Sequence, residues 1–256
     1  MRIAFLTLGC KLNYAETSTY ERGFTANGLE VVPWEEQADV YLINTCSVTE
    51  RAEKKCRNVI RKMHRVSPGA RIIVTGCYAE LRRNDLLAID GVSLVFGAKE
   101  KSRVVPDTME LLLNASGGGH DTAGTVAARG HVNGWTAEGG TGRSAKREGS
   151  GGVISADGTN IKEISKETMA AFSSEERTRS FLKVQDGCNN FCAYCTVPYA
   201  RGNSRNIPIS EVLEQARRIA GAGIKEIVIT GVNTGDFGRT TGESFLDLLK
   251  RLNDVE

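Results

Sequence analysis

The sequence predicts an α/β protein: a parallel-sheet βαβ domain first, then the opening βα units of a second one. Three observations predict it. Short β-branched runs alternate with helical patterns, the runs are apolar on both faces, and a glycine-rich stretch divides the chain. Runs apolar on both faces belong to strands covered by helices above and below, the environment of a parallel sheet. Their alternation with helices at this spacing implies βαβ units.

Taken in order, "RIAFLTLGC" (2–10), "DVYLINTC" (39–46) and "ARIIVTGC" (70–77) read as buried strands. Between them, "ETSTYERGFTANG" (16–28) and residues 49–66 read as helices. The second has Glu50 in its first turn, a basic C-terminal half and a Pro-Gly stop, all helix boundary signals. Residues 81–90 read as a further helix, 92–101 as a short strand and loop, and 105–114 as a closing helix. Residues 114–172 hold 13 of the chain's 28 glycines and no leucine, without periodicity, and read as a flexible linker. His120 and His131 fall inside it and are not taken as ligands. Order resumes with a strand at 178–188. A helix follows at 209–223, with Ser210 as N-cap and Gly221 or Gly223 as stop, then a strand at 226–232 and an amphipathic helix at 243–252. The expected domains are 1–113, a linker at 114–172, and an incomplete second unit at 173–256, because two βα units cannot close a barrel.

Composition sets the class. At 256 residues, 40% hydrophobic and 25% charged, the chain is long enough for two modest cores. No apolar run reaches membrane-spanning length, and the N-terminus lacks a signal-peptide core, so a cytoplasmic location is expected. In a reducing compartment clustered cysteines are metal ligands more often than disulfides. A formal net charge of +2 does not by itself argue for nucleic acid. Local basic groups are Arg57, Arg61, Lys62 and Arg65 on one predicted helix, and Arg201 and Arg205 later. Such point charges suit phosphate contacts, while a solvated helix face accounts for the first group equally well and Arg201 and Arg205 could equally serve a bound cofactor or the fold.

The chemistry lies in the seven cysteines. "DGCNNFCAYCTVPYARG" (186–202) sets Cys188, Cys192 and Cys195 in a C-x3-C-x2-C pattern. Thiolates are soft ligands and select iron–sulfur groups or zinc. A zinc site wants a fourth Cys or His, and none follows in the loop. Three thiolates on a [4Fe–4S] cube leave one iron open, where a substrate or cofactor binds. Cys10, Cys46 and Cys77 each end a predicted parallel strand, in "LGC", "NTC" and "TGC". Ligands of open α/β sheets collect at those ends, so three distant cysteines are expected to converge. Cys56, on the helix at 49–66, matches neither set and reads as structural.

The C-x3-C-x2-C motif with Tyr194 before its last cysteine resembles the signature of the radical S-adenosylmethionine enzymes. "LKVQDGCNNFCAYCTVPYARG", together with the three strand-end cysteines, resembles the methylthiotransferase family in particular. "LGCKLNYAETS" (8–18), "NTCSVTERAEKKCR" (44–57) and "TGVNTGDFG" (230–238) most resemble its branch acting on N6-threonylcarbamoyladenosine at position 37 of tRNA. The resemblance implies a radical-SAM (β/α) partial barrel for the second unit. It implies two [4Fe–4S] clusters, one on Cys188, Cys192 and Cys195, the other on Cys10, Cys46 and Cys77. S-adenosylmethionine would bind at the first, with Tyr194, Gly231 and Asn233 as contacts.

By the same resemblance, the first cluster generates a 5′-deoxyadenosyl radical that takes hydrogen from C2 of the adenine, and the second presents sulfur to the resulting carbon radical. The partners implied are the tRNA anticodon stem-loop and an electron donor such as flavodoxin or ferredoxin, with the protein a monomer. Related branches act on isopentenyladenosine of tRNA or on an aspartate of a ribosomal protein, and a non-catalytic iron–sulfur fragment is the alternative outside enzymology. The rest of the radical domain and the small RNA-binding β-barrel called TRAM do not follow, so a truncated chain is expected.

Overall fold

The computed structural model describes residues 1–47, 49–116, 168–173 and 178–255. The first unit is a five-stranded, wholly parallel sheet in the order β2-β1-β3-β4-β5. Its strands are β1 (Arg2–Thr7), β2 (Glu30–Val32), β3 (Val40–Thr45), β4 (Arg71–Gly76) and β5 (Val92–Phe96). The helices are α1 (Lys11–Ala26), α2 (Glu50–Val66), α3 (Cys77–Leu81), α4 (Arg83–Leu87) and α5 (Val104–Ser116), with a 3-10 turn at Ala98–Arg103 before α5.

The double-sided apolarity of the strands has a direct cause. Side chains alternate across a strand, so Ile3, Val40, Leu42 and Ile73 meet Tyr20 and Phe24 of α1 and Val104 and Leu112 of α5. Ala4, Tyr41, Ile43, Ile72 and Val74 point the other way, onto Cys56, Ile60 and Met63 of α2, Tyr78 of α3 and Leu86 of α4. Each fully buried aliphatic contributes on the order of 1.5–3 kcal/mol, so the two helical layers hold the sheet rigid between them. α2 starts where the sequence predicts, with Thr49 accepting a hydrogen bond from the Ala52 amide.

The second unit is smaller. β7 (Arg179–Lys183) lies between β10 (Glu226–Thr230), parallel to it, and β6 (Ala171–Phe172), antiparallel to it. A two-residue ladder pairs β8 (Gln185–Asp186) with β9 (Arg205–Asn206). The helices are α6 (Val197–Arg201), α7 (Ile209–Gly221) and α8 (Phe245–Asn253). Leu182, Val184, Ile207, Val212, Ala216, Ile219 and Leu248 form the core. No described helix is long and apolar enough to cross a membrane.

Several expectations need correction. The helix expected at 81–90 is instead two five-residue turns, α3 and α4, broken at Arg82. α1 begins at Lys11, immediately after Cys10. The strand at 178–188 is interrupted at Val184, where the chain leaves one ladder and joins another. Ser210 does not cap α7; the cap residue is Pro208, and the Glu243 carboxylate accepts from the Ile209 amide at 2.9 Å. Strand β6 lies within the stretch read as linker, because Ala171 and Phe172 bury against the first unit. Most of that stretch, His120 and His131 included, lies outside the described residues.

The units join mainly through α1, which packs on β6 and β7. Ala15, Ala171 and Phe181 form a small apolar seam there. The Arg22 guanidinium stacks 3.8 Å from the Phe172 ring centre and donates to the Phe172 carbonyl at 3.0 Å.

Candidate functional site

Cys10, Cys46 and Cys77 follow β1, β3 and β4, three neighbouring strands. Parallel order alone puts their C-terminal ends on one edge of the sheet, so residues far apart in sequence become neighbours. Cys10 is exposed, Cys46 half-buried and Cys77 buried. The turn into Cys77 requires glycine: Gly76 has φ 102°, and a Cβ there would stand 2.3 Å from the Thr45 carbonyl oxygen. The Cys10 thiol donates to Asn13 Oδ1 at 3.1 Å, and Asn13 Nδ2 donates to Asn44 Oδ1 at 2.7 Å and to the Thr45 carbonyl at 3.1 Å. Asn13 thus ties α1 to the ends of the strands.

The loop triplet is built locally. The Cys195 amide donates to the Cys192 carbonyl at 2.9 Å, and the Cys188 amide donates to Gly202 O at 3.1 Å, pinning the loop's start to the end of α6. Gly187 (φ 71°) passes so close to Asn203 that a Cβ would lie 2.0 Å from its carbonyl oxygen. Phe191 adopts φ 44°, rare for a bulky residue, and its ring meets Tyr199 edge-on at 5.7 Å. Cys192 is exposed, Cys188 and Cys195 half-buried.

The elements that carry the two triplets meet across the seam. α3, which begins at Cys77, packs against α6, which begins two residues after Cys195. Thr196 Oγ1 donates to the Ser47 carbonyl at 3.4 Å, joining the residue after Cys195 to the residue after Cys46. Among the described residues no three His, Cys, Asp or Glu side chains converge on one metal ion. Cysteine sulfur is a soft donor that suits iron–sulfur groups or zinc.

Behind the sulfurs lies a buried ionic cluster. Glu16 Oε1 accepts from Lys101 Nζ and Lys183 Nζ, both at 2.8 Å, and from Arg201 Nη1 at 3.2 Å. Asp186 pairs with Lys183 at 2.7 Å, Arg201 at 3.1 Å, Lys101 at 3.4 Å and Arg205 at 3.5 Å. None of the six is more than 8% exposed. Burial alone would raise both carboxyl groups; Lys101, Lys183 and Arg201 outweigh it and hold both well below the usual carboxylate range. Burial pulls the Lys183 ammonium down, against the pull of Asp186 and Glu16. The Cys77 thiol is pushed up by burial, with Arg201 and Lys101 the main charges opposing that rise.

Of the other residues singled out from sequence, Tyr194 is 89% exposed beside the loop sulfurs. Gly231 and Asn233 sit where the loop after β10 meets Gln185: the Asn233 amide donates to Gln185 Oε1 at 2.9 Å, and a Cβ on Gly231 would crowd that oxygen. Cys56 is buried under Cys46, its thiol 3.8 Å from the Cys46 carbonyl and pushed up to about 11, chiefly by burial. Arg201 and Arg205 are buried, so they are not surface phosphate contacts. Arg57 is committed to the Tyr78 hydroxyl and Glu53. Of the basic group expected on this helix, Lys62 lines a groove of α2, together with Arg51, Lys54, Lys55, Asn58 and Val59.

Sequence reasoning missed Glu16, Lys101, Lys183, Gln185 and Asp186. Buried Gln185 donates to the carbonyls of Asp186 and Gly187 and to Ser204 Oγ, and so splints the start of the cysteine loop.

Comparison with known proteins matches two family models. Residues 2–97 match the uncharacterized protein family UPF0004, and residues 182–254 match the radical SAM superfamily. The chain is 36% identical to the threonylcarbamoyladenosine tRNA methylthiotransferase MtaB of Bacillus subtilis, over 98% of this chain and 48% of that protein. It is 33% identical to the protein of the same name from Aquifex aeolicus, over 100% of this chain and 54% of the relative. The chain therefore spans about half the length of the curated relatives it matches. Among solved structures, the radical S-adenosylmethionine methyltransferase TsrM from Kitasatospora setae shares the fold. Its TM-score is 0.54 at 12% identity, over 98% of this chain and 50% of that one.

Proposed function

From the premise that the chain belongs to the methylthiotransferase family of radical S-adenosylmethionine enzymes, we propose that the whole protein methylthiolates C2 of N6-threonylcarbamoyladenosine in tRNA. What supports this reading is the pairing of the elements that carry the two cysteine triplets, through the Thr196–Ser47 hydrogen bond and the contact of α3 with α6. Such a pairing suits a reaction in which a radical made at one group is quenched by sulfur from the other.

Cys188, Cys192 and Cys195 would hold one [4Fe–4S] cluster, and Cys10, Cys46 and Cys77 a second. When bound, the first with S-adenosylmethionine supplies the substrate radical and the second supplies sulfur. The protein's own residues position and shield. Gln185 couples the loop after β10, with Gly231 and Asn233, to the start of the cysteine loop, so S-adenosylmethionine contacts from both sides share one support. Asn13 and Gly76 orient Cys10 and Cys77. Exposed Tyr194 stands at the mouth, where a base can stack. The α2 groove of Arg51, Lys54, Lys55 and Lys62 offers phosphate contacts on the same unit.

Anaerobic reconstitution tests the reading. About eight irons per chain are expected for two four-iron groups, with release of 5′-deoxyadenosine on adding S-adenosylmethionine and dithionite. The full-length protein is then offered tRNA carrying threonylcarbamoyladenosine, tRNA carrying isopentenyladenosine, and a ribosomal protein. A methylthio mass increment on the first alone is expected, and an increment only on another moves the substrate there. Zinc without iron overturns the reading.

A further inference from the structure

The mechanism above leaves the buried ionic cluster unused, and its charges do not balance. Lys101, Lys183 and Arg201 share Glu16 and Asp186, three cations on two carboxylates, all at most 6% exposed. Uncompensated buried charge costs several kcal/mol per ion, so a nearby anion is expected. The nearest unabsorbed source is the strand-end sulfur set. Arg201 Nη2 donates at 2.9 Å to Asn13 Oδ1, the same oxygen that accepts from the Cys10 thiol. Arg201 ends α6, which packs on the helix that Cys77 begins. Burial works against the Arg201 charge, and Cys77, Asp186, Glu16 and Cys10 together outweigh it.

We propose that Arg201, with Lys101 beside it, is a positioning residue for the Cys10, Cys46 and Cys77 triplet, carrying positive charge from the second unit into the sulfur site of the first and biasing the iron–sulfur group held there toward its reduced state. This rests on the ligand assignment proposed above. Three thiolates outweigh the charge of an oxidised four-iron cube, and each electron added from the reductant makes the site more negative. A desolvated cation set held by fixed partners stabilises that added charge without reorganising. The cation is delivered by α6 of the second unit, so the redox bias of the first triplet depends on docking of the two units.

The test uses this chain with Cys188, Cys192 and Cys195 changed to Ala, so that only the strand-end triplet can be loaded. After anaerobic reconstitution, iron is counted and the midpoint potential is read by electron paramagnetic resonance during a dithionite titration. Arg201→Gln is expected to shift the reduced-to-oxidised ratio at fixed potential about tenfold toward oxidised, a fall of about 59 mV for one electron. Lys101→Met should shift it the same way by less, and it decides the matter if Arg201→Gln does not fold. Arg201→Lys should recover most of the shift. Arg83→Gln, which breaks the separate Arg83–Glu100 pair, should leave the potential where it was. Iron bound at about four per chain with an unmoved potential in both Arg201→Gln and Lys101→Met overturns the inference while the ligand assignment stands. No iron at the triplet overturns both.

Discussion

The strand-end cysteines and the loop cysteines reach a common seam by opposite means. Cys10, Cys46 and Cys77 are tens of residues apart and become neighbours only because β1, β3 and β4 lie side by side in a finished, double-covered sheet. Cys188, Cys192 and Cys195 share one short loop whose shape is written locally, in the positive φ of Gly187 and Phe191 and the bond from Cys188 to Gly202. The first triplet depends on the whole first unit, the second on a few residues. Their mutual placement depends on both units. It rests on α1, on the α3–α6 contact and on the buried charges between them.

Removing those charges should produce the largest effect. Glu16→Gln strips Lys101, Lys183 and Arg201 of a shared partner and should destabilise the docked state by about 3–5 kcal/mol. Urea unfolding would then split into two transitions, one per unit; a single transition at the original midpoint would contradict the placement of this cluster. The same dependence sets a pH window. The folded-state pKa values of Glu16 and Asp186 are depressed, so their contribution is fully present above the ordinary carboxylate range of 3.8 to 4.5 and is lost as pH falls from there toward the lower folded values. Hydrogen exchange across α1 and β7 should stay slow at neutral pH and quicken together only in strong acid.

Two glycines separate the triplets from each other. Gly76→Ala forces a side chain into a left-handed position against Thr45 and should cost about 1–3 kcal/mol, with iron lost from the strand-end triplet first. Gly187→Ala should do the reverse, emptying the loop triplet while the first unit keeps its stability. Equal iron loss from both triplets in either variant would mean that they are not built independently. A smaller effect is expected for Cys56→Ala, about 1 kcal/mol for a trimmed buried side chain, with iron content unchanged. The smallest belongs to the α2 groove. Lys54→Gln with Lys55→Gln should leave stability within about 0.5 kcal/mol and lower the salt slope of tRNA binding by roughly 0.7–0.9 per phosphate contact removed.

The placement of the cysteines, three at strand ends and three in one loop, was legible in the sequence for physical reasons. C-x3-C-x2-C is a local pattern, and a cysteine at the end of a double-sided apolar run marks a strand end in a parallel sheet. The ionic cluster was not legible. Lys101 looks like an ordinary solvated charge, Arg201 reads equally as a phosphate contact, a cofactor contact or part of the fold, and Glu16 opens a predicted helix with no sign of its partners. Only the docking of α1 against β7 brings Glu16 within 2.8 Å of Lys183. Long-range pairing of charges leaves no periodic trace. The expected cap of α7 failed for the same reason, since Glu243 reaches the Ile209 amide from 34 residues away in sequence. Strand β6 hid because two residues beside a low-complexity stretch carry too little pattern to read.

The central claim is that the two triplets form one site across the seam. Electron paramagnetic resonance of the fully reconstituted, dithionite-reduced chain tests it most directly. Two reduced iron–sulfur groups held close together should broaden each other's signal, and the broadening should vanish in each variant lacking one cysteine triplet. A spectrum equal to the sum of those two single-triplet spectra would contradict the account.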